Sequence, residues 1–215
     1  MIPVDPRNIV PTAEAEIRKM EEALQKLHNA VRLERSRKWC LTLWSRFIRL
    51  RDGKRCVVCG SKDGLAAHHI FRKVVLPQAQ FLTGNGISLC SEHHDITHEI
   101  WNGTPLPAEP LNCRGGDDPN LTHDLYELLE EDAVRRGIFR DDFYYLSDHI
   151  LDGFLAWQGF GPIELCLPPL SAARLIWKQM SVDFYEVVGE TVGESMLGAP
   201  GHILERLDEK LNTIN

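Results

Sequence analysis

Five apolar residues, Ile17, Met20, Leu24, Leu27 and Val31, recur at spacings of 3, 4, 3 and 4 and lay one stripe along a helix predicted from Pro11 to about Arg35. Thr12 can cap it, Glu14 and Glu16 lie in its first turn, and Arg32 and Arg35 lie near its end, so charge complements the helix dipole at both ends. Over two heptads the stripe also fits a coiled-coil seam, which would make this helix a homodimer contact. Packing inside the chain is favoured, since coiled coils generally sustain roughly three or four heptads. A second helix is predicted from about Ser36 to Leu50, with Trp39, Leu43, Phe47 and Leu50 on its apolar face and Arg46, Arg49 and Arg51 elsewhere; it ends at the turn dipeptide Asp52-Gly53.

After that turn the period shortens. Leu65 to Phe71 and Ile87 to Cys90 read as strands, and Glu92 to about Trp101 as a helix. The proline- and glycine-rich stretch 103–120 reads as a linker. Beyond it helices are predicted at Leu121 to Arg136, Asp142 to Trp157, Leu170 to Met180, Val182 to about Met196 and His202 to Ile214. The expected class is α+β, a mostly helical chain around a small strand-strand-helix unit. It divides into an N-terminal helical arm (1–35), the unit itself (36–102), the linker (103–120) and an acidic helical domain (121–215).

Composition narrows the setting. The 215 residues are 43% hydrophobic, ordinary for a chain that buries a core. No stretch approaches the roughly 20 apolar residues that span a bilayer, and Met1-Ile-Pro-Val-Asp-Pro-Arg lacks a basic region followed by an apolar run, so no membrane association and a cytoplasmic location are expected. In that setting the six cysteines are better read as metal ligands plus bystanders than as disulfides. Cys40, Cys113 and Cys166 have no partner at ligand spacing and are given no role.

The net charge of −7 hides a change of sign along the chain. Residues 29–73 hold 12 Lys/Arg and 3 Asp/Glu, a balance of 12 − 3 = +9, whereas residues 99–215 hold 8 and 21, a balance of 8 − 21 = −13. A basic segment suits phosphates. An acidic half would repel them, and it is expected to face a protein partner or to shield the site.

The chemistry lies between Cys56 and His98, where two ligand patterns interleave. Cys56-Val-Val-Cys59 is answered by Cys90-Ser-Glu-His93 after 30 intervening residues. Two such knuckles close a tetrahedron around structural Zn²⁺ with no open position. His94 and His98, four apart on a helix, face one way and can chelate one ion. His68 and His69, adjacent on a strand, point to opposite faces, so one can join that ion while the other reaches a water as a base.

His68-His69, 15 residues to Asn85, 8 more to His94 and 3 to His98 resemble the HNH (ββα-metal) endonucleases, and the His pattern is most similar to that of the DNase colicins. The likeness covers about Trp44 to Trp101. The knuckles resemble the four-cysteine class of HNH nucleases, with His93 standing where that class has cysteine. The resemblance implies that His69 is the general base, that Asn85 pins the loop between the strands and orients His69, and that His68, His94 and His98 hold the catalytic metal. It implies metal-assisted hydrolysis of DNA phosphodiesters, by nicking or double-strand cleavage, leaving 5′-phosphate and 3′-hydroxyl ends. An all-imidazole set suits Zn²⁺, Ni²⁺ or Mn²⁺, and the resemblance allows Mg²⁺. Arg49, Arg51, Arg55, Arg72 and Lys73 are candidate phosphate contacts. Phage packaging, homing, restriction and defence all employ such modules. The rival reading is a non-catalytic zinc module that binds DNA or a protein partner.

Overall fold

A computed structural model describes residues 13–73, 77–100, 119–157, 161 and 165–178. Pro11, Thr12, most of the expected linker, Cys113 and the helices expected after Val182 lie outside these residues. Among the described residues the chain is mostly helical, with one two-stranded antiparallel sheet. Among the described residues no helix is long and apolar enough to cross a membrane.

Helix α1 (Ala13–Arg32) buries Met20, Leu24, Leu27 and Ala30 and packs on α2 (Arg37–Arg51). The stripe that could have served as a dimer seam is therefore covered within the chain, and of its five residues only Val31, 39% exposed, stays largely open. Ser36 caps α2 by accepting from the Trp39 N–H. The apolar face of α2 is rotated from the expected one. Cys40, Leu43, Trp44, Phe47, Ile48 and Arg51 are buried, while Trp39 is 52% exposed. The face is wide because α2 is sandwiched, with α1 on one side and the sheet on the other.

The sheet joins β1 (Ala66–His69) to β2 (Gly86–Leu89), with Ala66 opposite Leu89, His68 opposite Ile87 and His69 opposite Gly86. Opposite residues share a face. A methyl group on Gly86 would come within 2.6 Å of the Trp44 ring and 2.8 Å of Ile48, so the close approach of α2 to this face requires a residue without a side chain. Helix α3 (Ser91–Ile100) follows β2 directly and packs on the sheet.

The remaining described α-helices are α4 (Pro119–Arg135), α5 (Asp148–Trp157) and α6 (Pro169–Lys178). Their buried residues belong to the same hydrophobic cluster as those of α1, α2 and the sheet. Phe71, just past β1, lies 5.3 Å from the Phe154 ring and 5.5 Å from Trp177. Helix α5 starts six residues later than expected. The segment before it is a turn followed by irregular chain, because its backbone bonds elsewhere: the Tyr145 N–H donates to Thr83 Oγ1, and the Gly84 N–H to the Tyr145 carbonyl.

Candidate metal centres and catalytic histidine

The knuckle that carries Cys56 and Cys59 is a tight turn closed by the Gly60 N–H donating to the Cys56 carbonyl, with Gly60 at φ 75°, a conformation that glycine adopts without strain. The Val57 N–H donates to the Ser88 carbonyl and fastens the knuckle to β2. Just past that same end of β2, Cys90 immediately precedes α3 and His93 lies in its first turn. Cys56, Cys59, Cys90 and His93 offer ligand atoms all within 4.8 Å of one another. The Cys59 and Cys90 sulfurs are 3.8 Å apart, about the spacing that a tetrahedron with bonds of roughly 2.3 Å to zinc demands. The Cys90 sulfur lies 3.1 Å from His93 Nδ1. This Cys₃His cluster could hold a structural metal such as zinc.

Electrostatics at the knuckle fit that reading. Burial works against a Cys56 thiolate, but backbone N–H groups of Cys59, Cys90 and Val58 point at its sulfur and hold its pKa below the ordinary thiol value. At Cys59 the Ser61 N–H favours the thiolate, yet burial and the neighbouring thiols of Cys56 and Cys90 outweigh it and raise the pKa. A bound cation relieves that crowding of sulfurs.

A second set lies across the sheet. Strand alternation sends the buried His68 toward α3, where it meets His94 and His98 edge-on with ring centroids 5.2 and 5.1 Å away. His94 and His98 are one helical turn apart, with centroids 4.5 Å apart. One ring nitrogen from each of the three lies within 4.8 Å of the others. The adjacent residues His93 and His94 thus divide between the two clusters, His93 with the thiols and His94 with the imidazoles. Burial, and then the proximity of His94, His98, His69 and Lys73, push the His68 pKa down to about 2, and burial with His94 also lowers that of His98. Neutral imidazole is the form that ligates metal, and the three crowded rings on two elements could make a three-nitrogen site with coordination positions left over.

His69 points the other way. Its ring lies flat on Trp44, with centroids 4.0 Å and planes 8° apart. Its Nε2 is 3.0 Å from the Gln80 carbonyl. A carbonyl only accepts, so Nε2 carries the proton and Nδ1 keeps the lone pair. Burial lowers the His69 pKa to about 4; the Gln80 contact works in the opposite direction, and the nearby charges of Lys73 and Arg37 assist burial. The result is a neutral imidazole of fixed tautomer. Asn85 is fully buried beside it: Oδ1 accepts from the Phe71 N–H at 2.7 Å, and Nδ2 donates to the Phe71 and Ala79 carbonyls. It ties the end of β1 to the turn that carries Gln80.

The candidate phosphate contacts separate. Arg49 is exposed, and Arg72 and Lys73 are half-exposed. The expectation that Arg51 meets phosphate is corrected, because its side chain is 0% exposed. It pairs with Asp52, donates to the Thr83, Gly86 and Phe143 carbonyls and lies 4.4 Å over the Tyr144 ring. Arg55 is already matched by an ion pair with Asp132 on α4. Trp44 and Gln80, which position His69, were not singled out as site residues from sequence. Trp44 falls on a helix rich in apolar residues, and the carbonyl of Gln80 carries no sequence signal.

The chain matches no protein-family model, no curated protein and no solved structure.

Proposed function

We propose that the chain is a metal-dependent endonuclease of the HNH type that hydrolyses DNA phosphodiester bonds. The observation that carries this reading is the splitting of one dipeptide. His68 joins His94 and His98 on one face of β1, while His69, on the other face, has its tautomer set by a backbone carbonyl. A purely structural zinc module has use for the four-ligand cluster but none for this second arrangement.

His68, His94 and His98 would hold the catalytic ion, and an imidazole set of this kind accepts Zn²⁺, Ni²⁺ or Mn²⁺. When bound, a divalent ion supplies neutralisation of the charge that builds on the phosphate and its leaving oxygen. His69 takes a proton from the attacking water at Nδ1 while Nε2–H stays anchored on Gln80. Trp44 restrains the ring from rotating out of line. The cluster of Cys56, Cys59, Cys90 and His93 would hold structural Zn²⁺, which would fix the knuckle and α3 against the sheet.

Plasmid incubated with the purified protein and Mg²⁺, Mn²⁺ or Ni²⁺ tests the reading, beside His69→Ala. Wild type is expected to nick or linearise the plasmid and the variant to leave it supercoiled. Equal cutting by both would remove His69 from the chemistry, and cutting by neither with any metal would support the rival reading of a non-catalytic zinc module.

A further inference from the structure

The exposed cations of this protein are not scattered evenly. Among the described residues, the arginines that face α4 and its surroundings are matched: Arg55, Arg135 and Arg136 by Asp132, Arg140 by Glu21 and Asp142, and Arg174 by Glu130. Those along the groove between α1 and α2 are not. A cavity of about 590 Å³ opens there, ringed by Lys19, Lys26, Arg46, Arg49 and Lys54, with Glu22 the one carboxylate among the lining residues. Five cations against one anion leave +4 around a floor that includes Leu43, Leu50 and Leu65. No ion pair engages any of the five among the described residues, and Arg49 Nε donates only to the Ser45 carbonyl.

Helical spacing builds this pocket. Lys19, Glu22, Ala23 and Lys26 recur at three to four residues on α1, and Leu43, Arg46 and Leu50 do so on α2. Lys54 is placed by a turn in which Gly53 and Lys54 both take positive φ, 71° and 54°. Arg49 also lines a second, shallower depression of about 700 Å³ on the other side of α2, together with Arg37, Lys38, Thr42, Ser45 and Lys73 and no acidic residue. Arg37 and Lys73 are the cations whose fields act on His69. One arginine therefore joins two cation-rich depressions, and the second ends beside the candidate base.

We infer that the α1–α2 groove is a nucleic-acid backbone site that continues through Arg49 to His69 and grips phosphates flanking the position of attack. This rests on the nuclease reading for its end point but not for its binding chemistry. A row of regularly spaced phosphates matches a row of unpaired cations spread over two depressions, and sugar faces suit the leucine floor. A single carboxylate ligand would match neither.

The test is fluorescence anisotropy with a labelled DNA duplex over a salt series, using zinc-loaded full-length protein in the His69→Ala background so that nothing is cut. Each lost phosphate contact lowers the slope of log K against log salt by about one. Lys26→Gln/Lys54→Asn is expected to lower it by about two and to weaken binding several-fold, while Lys62→Gln, outside both depressions, changes nothing. Asn tolerates positive φ better than Lys, so the variant should melt no lower than its parent. An unchanged slope and affinity would overturn the inference, as would loss of binding to an acidic peptide with DNA binding intact. If wild type cuts DNA but the slope is unchanged, the groove assignment fails alone. If the slope falls but wild type never cuts, the nuclease reading fails alone.

Discussion

Trp44 and His69 lie face to face, 4.0 Å apart and 8° from parallel, so the candidate base is held by a residue of α2 rather than by the strand that bears it. The Trp44 indole N–H is anchored on the Leu82 carbonyl, which fixes the platform. Trp44→Leu removes the flat surface and part of a core side chain that is 2% exposed. A loss of about 2–4 kcal/mol is expected in denaturant unfolding. Under the nuclease reading, cleavage should fall about tenfold or more because His69 loses its aim, with metal content unchanged. A stable Trp44→Leu protein cutting at the wild-type rate would show that the stack is only packing.

Asn85 offers a separable test of the same base. Its carboxamide makes three hydrogen bonds, all to backbone of 71 and 79, and none to His69 itself. Asn85→Ala strands the buried Phe71 N–H and two carbonyls, and about 2–4 kcal/mol should be lost. The Gln80 carbonyl is then free to shift, so the expected signature is a drop in kcat larger than any change in KM. A variant that is equally destabilised but fully active would confine Asn85 to the fold.

Cys59 is the most exposed ligand of the Cys₃His cluster, while Cys56 and Cys90 are buried. Cys59→Ser should cost the structural metal without leaving a cavity. Such sites contribute on the order of 10 kcal/mol to small units, but here the knuckle also leans on β2 and a larger core, so local rather than global unfolding is expected. Metal analysis should fall from two ions per chain to one for Cys59→Ser, and from two to one for His94→Ala, with the melting temperature reduced mainly in the first. Equal melting curves for Cys59→Ser and wild type would make the cluster dispensable.

Spacing marked a thiol-containing set and a histidine set, because two-residue knuckles and a four-residue helical repeat each place ligands together. Strand alternation left open which of His68 and His69 joins the ion, and only the family resemblance assigned them. The buried stripe of α1 was legible from its spacing too. Arg51 was not. Its helical phase matched a solvent-facing arginine, and only the carbonyls of Thr83, Gly86 and Phe143, brought from distant parts of the chain, turn that position into a buried polar socket. Residues 142–147 were misread as helix because the turn at 83–84 competes for their backbone hydrogen bonds, a tertiary effect with no local sign. The stage on which His69 rests was hidden too, since half of it is a backbone carbonyl.

Asp132 gives the fold a pH-dependent stability. Its side chain is 1% exposed, and burial alone would raise its pKa; the guanidinium groups of Arg135, Arg55 and Arg136 overcome that and hold the carboxyl below the usual carboxylate range. A folded-state pKa below the unfolded value stabilises the protein fully above the unfolded pKa of about 4, and the contribution disappears as pH falls through the lowered folded value. Asp132→Asn should therefore unfold at lower denaturant than wild type at pH 7, by about 1–3 kcal/mol, since the arginines it leaves are partly solvated. The gap should narrow steadily once the pH drops below about 4. Because Asp132 on α4 holds Arg55 next to Cys56, the same variant should also release the zinc-site metal at lower chelator concentration. A gap between the two proteins that stays constant down to acid pH would mean that the ion pairs at Asp132 do not stabilise the fold.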